Sequence, residues 1–362
     1  MQIINDRRAL HQIPEIHRDL PKTFSYIQDS LKPLSCRVFS PEGSALCAFF
    51  DFGKADAIAF RTDCDALPVT EETGAEYAST HPGKMHACGH DGHMAIALEL
   101  ARRLNEKKDL PHNVLLVFQP AEETTGGAKD ICQSGVFAEY NVKAIFALHL
   151  WPGLTPGVIH SRKNELMSRT SNVGVEFFGR SAHIAMADQA LDATAAAVMF
   201  YQKAVAMEQN LPAGIYRLLK FGLLQSGTTE NVLSPYARIA GSCRAFQDEV
   251  YEALRDGLYA IAKEVEDATG CTVKVNIHEG YPAVMNPGDL FDKVNAIYPL
   301  ATVEKPSMTA EDFSYYQKTL PGMLFWLGIG DTPALHASNF CFDEQILAKG
   351  AEFFELLAEN FQ

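Results

Sequence analysis

The stretch VLLVFQPAEE, residues 114–123, runs from five apolar residues through a proline into two adjacent glutamates. A short continuous apolar run is typical of a strand buried on both faces, because a half-exposed strand would alternate apolar and polar positions. Similar runs follow at residues 144–148, AIFAL, and at residues 323–327, MLFWL. Stretches with helical spacing lie before and after such runs, among them residues 93–105 and the closing stretch 344–360. The pattern predicts an α/β fold with a mixed central sheet flanked by helices.

The pattern changes between residues 170 and 282. Strand-like (β) and helical (α) stretches follow one another there as β 173–178, α 190–208, β 216–224, β 236–244, α 249–269 and β 271–278. The order β-α-β-β-α-β is typical of a ferredoxin-like sandwich. We therefore predict an inserted ferredoxin-like α+β domain at residues 170–282, within a larger α/β domain formed by residues 1–169 and 283–362.

Bulk properties narrow the function classes. A chain of 362 residues is too long for one ordinary hydrophobic core, in agreement with two domains. The formal net charge of −14, without a basic patch, argues against nucleic acid as a partner. The sequence has no apolar run long enough for a signal peptide or a membrane span, so we expect a cytoplasmic protein with no membrane partner. The eight cysteines are scattered, as buried thiols in a reducing compartment are.

The densest cluster of reactive side chains is HACGHDGH, residues 86–93, which holds three histidines and one cysteine. Imidazole and thiolate are ligands that zinc and similar borderline ions prefer. A lone histidine in a polar turn is more often a satisfied polar residue than a ligand. Because four donors crowd into one short segment here, the cluster favours a metal site.

Glu122 and Glu123 follow the apolar run at residues 114–118 after a short turn. Two carboxylates this close disfavour joint ionisation unless a cation lies between them. A metal site resolves the conflict, because one glutamate can bind the ion while the other accepts a proton from water. The alternative is a solvated acidic turn.

Three further polar segments follow strand-like runs. They are His149 after residues 144–148, His336 in LHASNF at residues 335–340, and RTDCDALP at residues 61–68. Open α/β sheets bind ligands beyond the carboxyl ends of their strands. Each segment alone has an ordinary interpretation, but their joint placement predicts a di-metal site, which needs several such donors.

Seven motifs occur in a fixed order: RTDCDALPVTEETG, PGKMHACGHDGH, FQPAEE, GGAK, HLWPGLTPG, GRSAHIA and LHASNFCFDE. In these motifs the chain resembles the M20 metallopeptidase superfamily, in its amidohydrolase branch of hippurate hydrolases, N-acetyl-diaminopimelate deacetylases and IAA-amino acid hydrolases. The resemblance extends from about Leu10 to the end of the chain. It implies a zinc-peptidase-like catalytic domain at residues 1–169 and 283–362, and a lid and dimerisation domain at residues 170–282.

The resemblance also implies two bound divalent metal ions, whether Zn, Mn, Co or Ni. The implied metal ligands are Cys88, His90, Glu123, His149 and His336. Glu122 would be the general base, and Asp65 would orient His90 from behind.

Residues of the inserted domain would complete the site. In similar enzymes the counterpart of His183 reaches the substrate carbonyl across a dimer interface, which implies a homodimer or tetramer. Asn231 and Arg244 resemble positions that contact substrate. This chain departs from many relatives at residues 186–188, Met-Ala-Asp, and at Ser234, so its substrate contacts are expected to differ.

The implied activity is hydrolysis of the amide bond in a small N-acyl amino acid, either N-acetyl-diaminopimelate-like or hippurate-like. Two alternatives remain from the residues alone. One is a cysteine hydrolase with Cys88 as nucleophile and His90 or His93 as base. The other is a catalytically silent, metal-bearing binding protein, although the presence of Glu122 speaks against it.

Overall fold

The structure, a computed structural model, describes all 362 residues as two compact units. The first unit comprises Met1–Leu166, Met285–Lys305 and Asp312–Gln362, and the second comprises Met167–Val284 and Pro306–Glu311. The sequence assigned residues 306–311 to the α/β domain, but the structure places them in the second unit. The reason is local pairing, because the amide of Ser168 donates to the carbonyls of Ser307 and Thr309 at 3.1 and 2.9 Å.

The chain forms ten α-helices and sixteen strands. Numbered in chain order, the helices are α1 (Gln2–His11), α2 (Pro21–Leu31), α3 (His90–Asn105), α4 (Gly127–Gln133), α5 (Val136–Glu139), α6 (Ala193–Asn210), α7 (Asp248–Thr269), α8 (Gly288–Ile297), α9 (Ser314–Gln317) and α10 (Leu347–Asn360). The strands are β1 (Arg37–Phe39), β2 (Leu46–Phe50), β3 (Ala57–Asp63), β4 (Asn113–Gln119), β5 (Val142–Trp151), β6 (Ile159–Ser161), β7 (Asn164–Met167), β8 (Arg169–Phe178), β9 (Ala182–His183), β10 (Leu218–Ser226), β11 (Val232–Leu233), β12 (Tyr236–Ala245), β13 (Thr272–Glu279), β14 (Val284–Asn286), β15 (Ala301–Thr302) and β16 (Gly322–Gly328). Short 3-10 segments cover Ile184–Gln189 and Glu344–Ile346.

The first unit is built on an eight-stranded mixed sheet in the order β1-β2-β4-β3-β5-β16-β6-β15. Its centre is parallel, because β3 pairs in parallel with β4 and β5, and β16 with β5. Every residue of β3, β4 and β16 is buried, which explains their continuous apolar runs. The predicted α/β architecture is confirmed. Since parallel strands point the same way, the segments that follow β3, β4 and β16 meet at one edge of the sheet.

Two glycines allow helix α3 to approach strand β5. Gly89, which precedes the helix, has φ +88°, and a Cβ atom there would lie 3.0 Å from Cδ1 of Leu150. A Cβ atom on Gly92 would lie 2.9 Å from the same atom. The close approach brings the first turn of α3, with His90 and His93, next to the carboxyl end of β5.

A buried ionic network holds α1 against the start of α3. Arg7 Nε lies 2.7 Å from Asp91 Oδ2, and His11 Nδ1 lies 2.8 Å from the same oxygen. Arg7 also reaches Glu344, at 3.1 Å, near the start of the last helix. Burial alone would raise the pKa of Asp91, but Arg7 and His11 hold that pKa far below its usual range. Asp91, the residue after His90, is therefore held in place by both Arg7 and His11.

Glu71 extends this network and predicts a dependence of stability on pH. Its carboxylate lies 3.2 Å from His11 Nε2 and accepts from the amide of Ser79 at 2.7 Å. Although burial opposes it, hydrogen bonds from His11 and Thr73 are the main factors that lower the pKa of Glu71 from 4.5 to about 2. A carboxylate with a lowered pKa stabilises the fold above its unfolded pKa, and that contribution is lost as pH falls toward the folded value.

We therefore expect the Glu71→Gln variant to lose less stability than the wild type between about pH 5 and pH 3, because the missing group no longer takes up a proton on unfolding. Urea unfolding of the metal-free proteins at several pH values measures the slope of the free energy of unfolding against pH. Glu76→Gln, at an exposed position of the same segment, is the control and should keep the wild-type slope. Equal slopes in all three proteins would contradict the prediction.

The second unit contains a four-stranded antiparallel sheet in the order β10-β12-β8-β13. Helices α6 and α7 share a hydrophobic core with this sheet, and alternate β8 residues such as Val173, Val175 and Phe177 point into it. The strand order and connections are those of a ferredoxin-like sandwich, as predicted. A separate two-stranded pairing of β9 with β11 places His183 opposite Val232. No helix in the structure has both the length and the apolar character needed to cross a membrane.

Candidate metal centre

The five predicted metal ligands lie in the first unit, on segments that meet at the carboxyl edge of the central sheet. Cys88 and His90 flank Gly89 at the start of α3, and Glu123 follows β4. His149 lies near the end of β5, and His336 lies in the loop after β16. The donors lie close together because the carboxyl ends of the parallel strands lie at one edge of the sheet, as the sequence analysis expects.

The structure brings these five side chains together. His90 Nε2 lies 3.8 Å from Glu123 Oε1, and His336 Nε2 lies 3.3 Å from that same oxygen. Cys88 Sγ lies 3.5 Å from His149 Nε2. The donor atoms of Cys88, Glu123 and His336 all lie within 4.8 Å of one another, as do those of His90, Glu122 and Glu123. Glu123 thus belongs to both groups and lies between them.

The donor set fits divalent cations. His90 Nε2 is buried without a hydrogen-bond partner, although it faces carboxylate oxygens of Glu123 at 3.8 Å and of Asp63 at 3.6 Å. A buried polar atom left without a partner costs about 1–3 kcal/mol, so such an atom inside a cluster of carboxylates is suited to bind a cation. Thiolate, imidazole and carboxylate together suit zinc and similar borderline ions.

The surroundings of Cys88 suit a ligand better than a nucleophile. Burial raises the pKa of its thiol well above the usual value, and the nearby Glu123 and Glu122 carboxylates raise it further. Without a cation the sulfur therefore stays protonated, and a neutral thiol is a poor nucleophile. A bound cation reverses this balance, because it favours the thiolate.

The pKa values of the two histidines contributed by β5 and the late loop are shifted in opposite directions. Burial, followed by the neighbouring His93, lowers the pKa of His149 to about 3, so its ring is neutral, as metal binding requires. His336 is instead 53% exposed, and its hydrogen bond to Glu123 raises its pKa. The backbone of His336 has φ +68°, a strained value for this residue, and its amide donates to the Ala87 carbonyl at 2.8 Å.

Asp65 holds the centre together, but differently from the prediction. His90 Nδ1 donates to the backbone carbonyl of Asp65 at 2.8 Å, whereas Oδ1 of the Asp65 carboxylate lies 4.0 Å from that nitrogen. The carboxylate instead accepts from the amides of Glu122 and Glu123 at 2.9 and 3.2 Å. Asp65 therefore orients His90 through its main chain and the glutamate pair through its side chain. Glu122 Oε1 additionally lies 3.4 Å from the amide of Asp312.

Two buried residues outside the predicted set of metal ligands also belong to the cluster. Asp63 and His93 lie with His90 and His149 in a group whose donor atoms are all within 4.8 Å of one another. Burial would raise the pKa of Asp63, but His90, His93 and Arg61 lower it well below the usual value. Their spacing carried a signal, because Asp63 ends strand β3 and His93 follows His90 by one helical turn.

The remaining predicted site residues belong to the second unit. His183 is exposed in β9, and its Nδ1 accepts from the amide of Ala185 at 3.2 Å. Asn231 is exposed and accepts from the Thr229 hydroxyl at 3.0 Å. Arg244 is half-buried, donates to the Met308 carbonyl, and has a pKa lowered by burial. Their contributions to catalysis and substrate binding stay predictions.

Comparisons with known proteins agree with this construction. A model of peptidase family M20/M25/M40 matches residues 59–360. The chain is 34% identical to an N-acetyldiaminopimelate deacetylase of Streptococcus pneumoniae, covering 97% of this chain and 96% of that protein. A protein of the same description from Shouchella clausii is 33% identical, with 97% and 96% covered. The solved structure of the Bacillus subtilis YXEP protein, described as a dinuclear metal binding peptidase from the M20 family, is 29% identical, with a TM-score of 0.85 and with 99% and 96% covered.

Proposed function

Because the chain belongs to peptidase family M20/M25/M40 and is a metallo-amidohydrolase of that family, we propose that it hydrolyses the amide bond of a small N-acyl amino acid at a pair of divalent ions. The observation that carries the proposal is the cluster in which Glu123 belongs to two groups of side chains that could hold a metal ion. Two relatives described as N-acetyldiaminopimelate deacetylases make N-acetyl-diaminopimelate the first substrate to test. N-benzoyl amino acids are the second.

Each side chain has a proposed task in this reaction. The ions would be held by the five ligands Cys88, His90, Glu123, His149 and His336. When bound, divalent ions supply Lewis-acid polarisation of the amide carbonyl and a lowered pKa for water. Glu122, which lies beside His90 and Glu123, accepts a proton from the attacking water and returns it to the departing amine nitrogen. The products are a carboxylic acid and a free amino acid.

Residues of the second unit would complete the mechanism. His183 is proposed to donate a hydrogen bond to the substrate oxygen as that oxygen gains negative charge, a contribution of about 3 kcal/mol per donor in other hydrolases. Asn231 and Arg244 are proposed to bind the remainder of the substrate. Because Arg244 is already hydrogen-bonded to a main-chain carbonyl, its guanidinium would have to share its donors with the substrate.

We also propose that the protein forms a homodimer through the second unit. Apart from Met1, the exposed large apolar side chains all belong to that unit: Phe178, Ile184, Met186, Val198, Tyr201, Tyr216, Leu224, Val232, Tyr236 and Tyr259. Concentrated exposed apolar surface is a feature of protein–protein contact surfaces. Sedimentation velocity over a range of concentrations tests the proposal, and a monomer at every concentration would contradict it.

The activity is tested with metal-free protein reloaded separately with Zn, Mn, Co and Ni. N-acetyl-diaminopimelate, other N-acetyl amino acids and N-benzoyl amino acids are the substrates, and release of the free amino acid is the measurement. We expect turnover only in the reloaded samples, and full loss with a chelator. Activity that survives a chelator but not iodoacetamide would instead support a cysteine hydrolase. Absence of turnover with every substrate and metal would support a silent binding protein.

Replacing Cys88 tests the metal centre directly. The Cys88→Ala variant is expected to lose at least one equivalent of bound metal, because alanine offers no ligand atom in place of the thiolate that would hold the ion. Elemental analysis of the dialysed protein gives the stoichiometry. Cys36→Ala, at a half-buried thiol of the same unit, is the matched control and should keep the wild-type metal content. Unchanged metal content in Cys88→Ala would show that Cys88 is a buried thiol without a ligand role.

A further inference from the structure

His93 is buried in the first turn of α3, and the proposed mechanism gives it no task. Its ring centroid lies 4.6 Å from that of His149 and 5.4 Å from that of His90. A histidine in this place can either bind an ion itself or hold a neighbouring ligand. The hydrogen bonds of its two ring nitrogens distinguish these tasks.

Both ring nitrogens of His93 are already engaged. Nδ1 lies 2.6 Å from Oδ1 of Asp63, and Nε2 lies 2.9 Å from the backbone nitrogen of Leu150. A backbone N–H can only donate, so Nε2 accepts and carries no proton. The ring proton is therefore on Nδ1 and is donated to Asp63. Neither nitrogen can bind an ion without breaking a buried hydrogen bond, so His93 is not a ligand.

Leu150 connects His93 to His149. The Leu150 amide is bound by His93, and the Leu150 carbonyl accepts from Nδ1 of His149 at 2.7 Å. The proton of His149 is consequently on Nδ1, and its Nε2 presents a lone pair that accepts from the Cys88 thiol, with Sγ at 3.5 Å. The partner of one imidazole nitrogen decides which nitrogen is left for a metal, so this main-chain contact determines the donor atom.

Asp63 is itself held in place. Its second oxygen accepts from Arg61 at 3.0 Å, and Arg61 also donates to Gln119 and Asp312 at 2.8 and 2.9 Å. All of these side chains are buried. One side of the His93 ring is thus held by a carboxylate whose own orientation is fixed by Arg61.

We propose that His93, held by Asp63, is a positioning residue that fixes the main chain at Leu150 and thereby keeps His149 in the tautomer and orientation that bind an ion. The inference rests on the proposed function, because it takes His149 to be a ligand. Residues that hold a metal ligand in place typically change metal affinity by about 10–100-fold when replaced.

Two substitutions separate the hydrogen bond from the volume of the ring. His93→Gln keeps an oxygen that can accept from the Leu150 amide, whereas His93→Phe fills the space without any acceptor. His112→Phe is the matched control, because His112 also contacts a carboxylate, Asp56 at 2.5 Å, but lies where β4 begins, at the opposite edge of the sheet.

The metal-free proteins are titrated with Zn²⁺ in competition with a chromogenic chelator. We expect two ions with unchanged affinities in the wild type and in His112→Phe. His93→Phe is expected to bind one ion about 10–100-fold more weakly, and His93→Gln is expected to recover most of that loss. Unchanged affinities in His93→Phe would overturn the positioning role of His93 but leave the proposed function standing. A wild-type protein that binds no ion overturns the proposed function instead.

A second measurement is made on the wild-type protein. It tests the role of His93 even if His93→Phe does not fold. Two-bond ¹H–¹⁵N correlation spectra of the metal-free wild type near neutral pH report which ring nitrogen carries the proton. Signals are assigned by their absence in His93→Gln and His149→Gln. We expect Nδ1 to carry the proton in both rings. A proton on Nε2 of either ring overturns the proposal.

Discussion

Replacing Glu122 by glutamine is expected to lower turnover by about 100-fold or more, the range measured for lost general-base catalysis, while both metal ions stay bound. The amide of glutamine has nearly the shape of the carboxylate but cannot accept a proton from water. Glu122 is 6% exposed, and its main chain is held by the Asp65 carboxylate, so the substitution should leave the geometry intact. Steady-state kinetics with the best substrate measure turnover, and elemental analysis measures the metal content.

Glu123→Gln provides the comparison for that experiment. Because Glu123 lies in both groups of donor atoms, this variant is expected to lose metal as well as activity. Glu139→Gln, at an exposed position of helix α5, should retain both properties. Near-normal turnover in Glu122→Gln would remove Glu122 from the mechanism, and metal loss there would make it a ligand.

Replacing Arg7 by leucine is expected to lower the free energy of unfolding by about 3–5 kcal/mol, because it leaves a buried charge without its partner. Arg7 is 1% exposed and Asp91 is fully buried, and their side chains approach to 2.7 Å. After the substitution only His11 remains to balance the Asp91 carboxylate. Urea-induced unfolding of metal-free protein measures the effect.

Arg8→Leu is the matched control, since Arg8 contacts the same Glu344 from a side chain that is 47% exposed. Solvent screens such a pair, so we expect only a small fraction of the loss seen with Arg7→Leu. A comparable loss in the two variants would show that the buried position of Arg7 is not what matters. Metal affinity should also fall in Arg7→Leu, because Asp91 is adjacent to His90.

The architecture could be predicted wherever burial requires a recognisable pattern of apolar residues. Strands β4, β5 and β16 each contain a continuous run of apolar residues because both of their faces are buried. Strand β6 covers three residues and strand β15 two, which is too short for any period to be visible. The pairing of residues 306–311 with Ser168 joins distant parts of the chain, and neither segment carries a local signal for it.

The candidate site could be predicted as a set of side chains but not as a set of contacts. Cys88, His90 and Glu123 stand out because their chemistry is unusual for turns. The carbonyl of Asp65 and the amide of Leu150, however, are main-chain atoms that every residue has, so no motif can mark their involvement. His93 was visible as a histidine, but its hydrogen bonds depend on how closely α3 approaches β5.

His336 joins the proposed ligands from an exposed loop, whereas Cys88, His90 and His149 are buried. An ion leaving the centre would release its solvent-facing ligand first, since water can replace that ring without opening the core. Ion exchange should therefore proceed in two phases, a fast one for the outer position and a slow one for the inner. Freshly purified preparations would then contain a mixture of singly and doubly loaded molecules, and specific activity would follow the history of the sample as much as its amino-acid sequence.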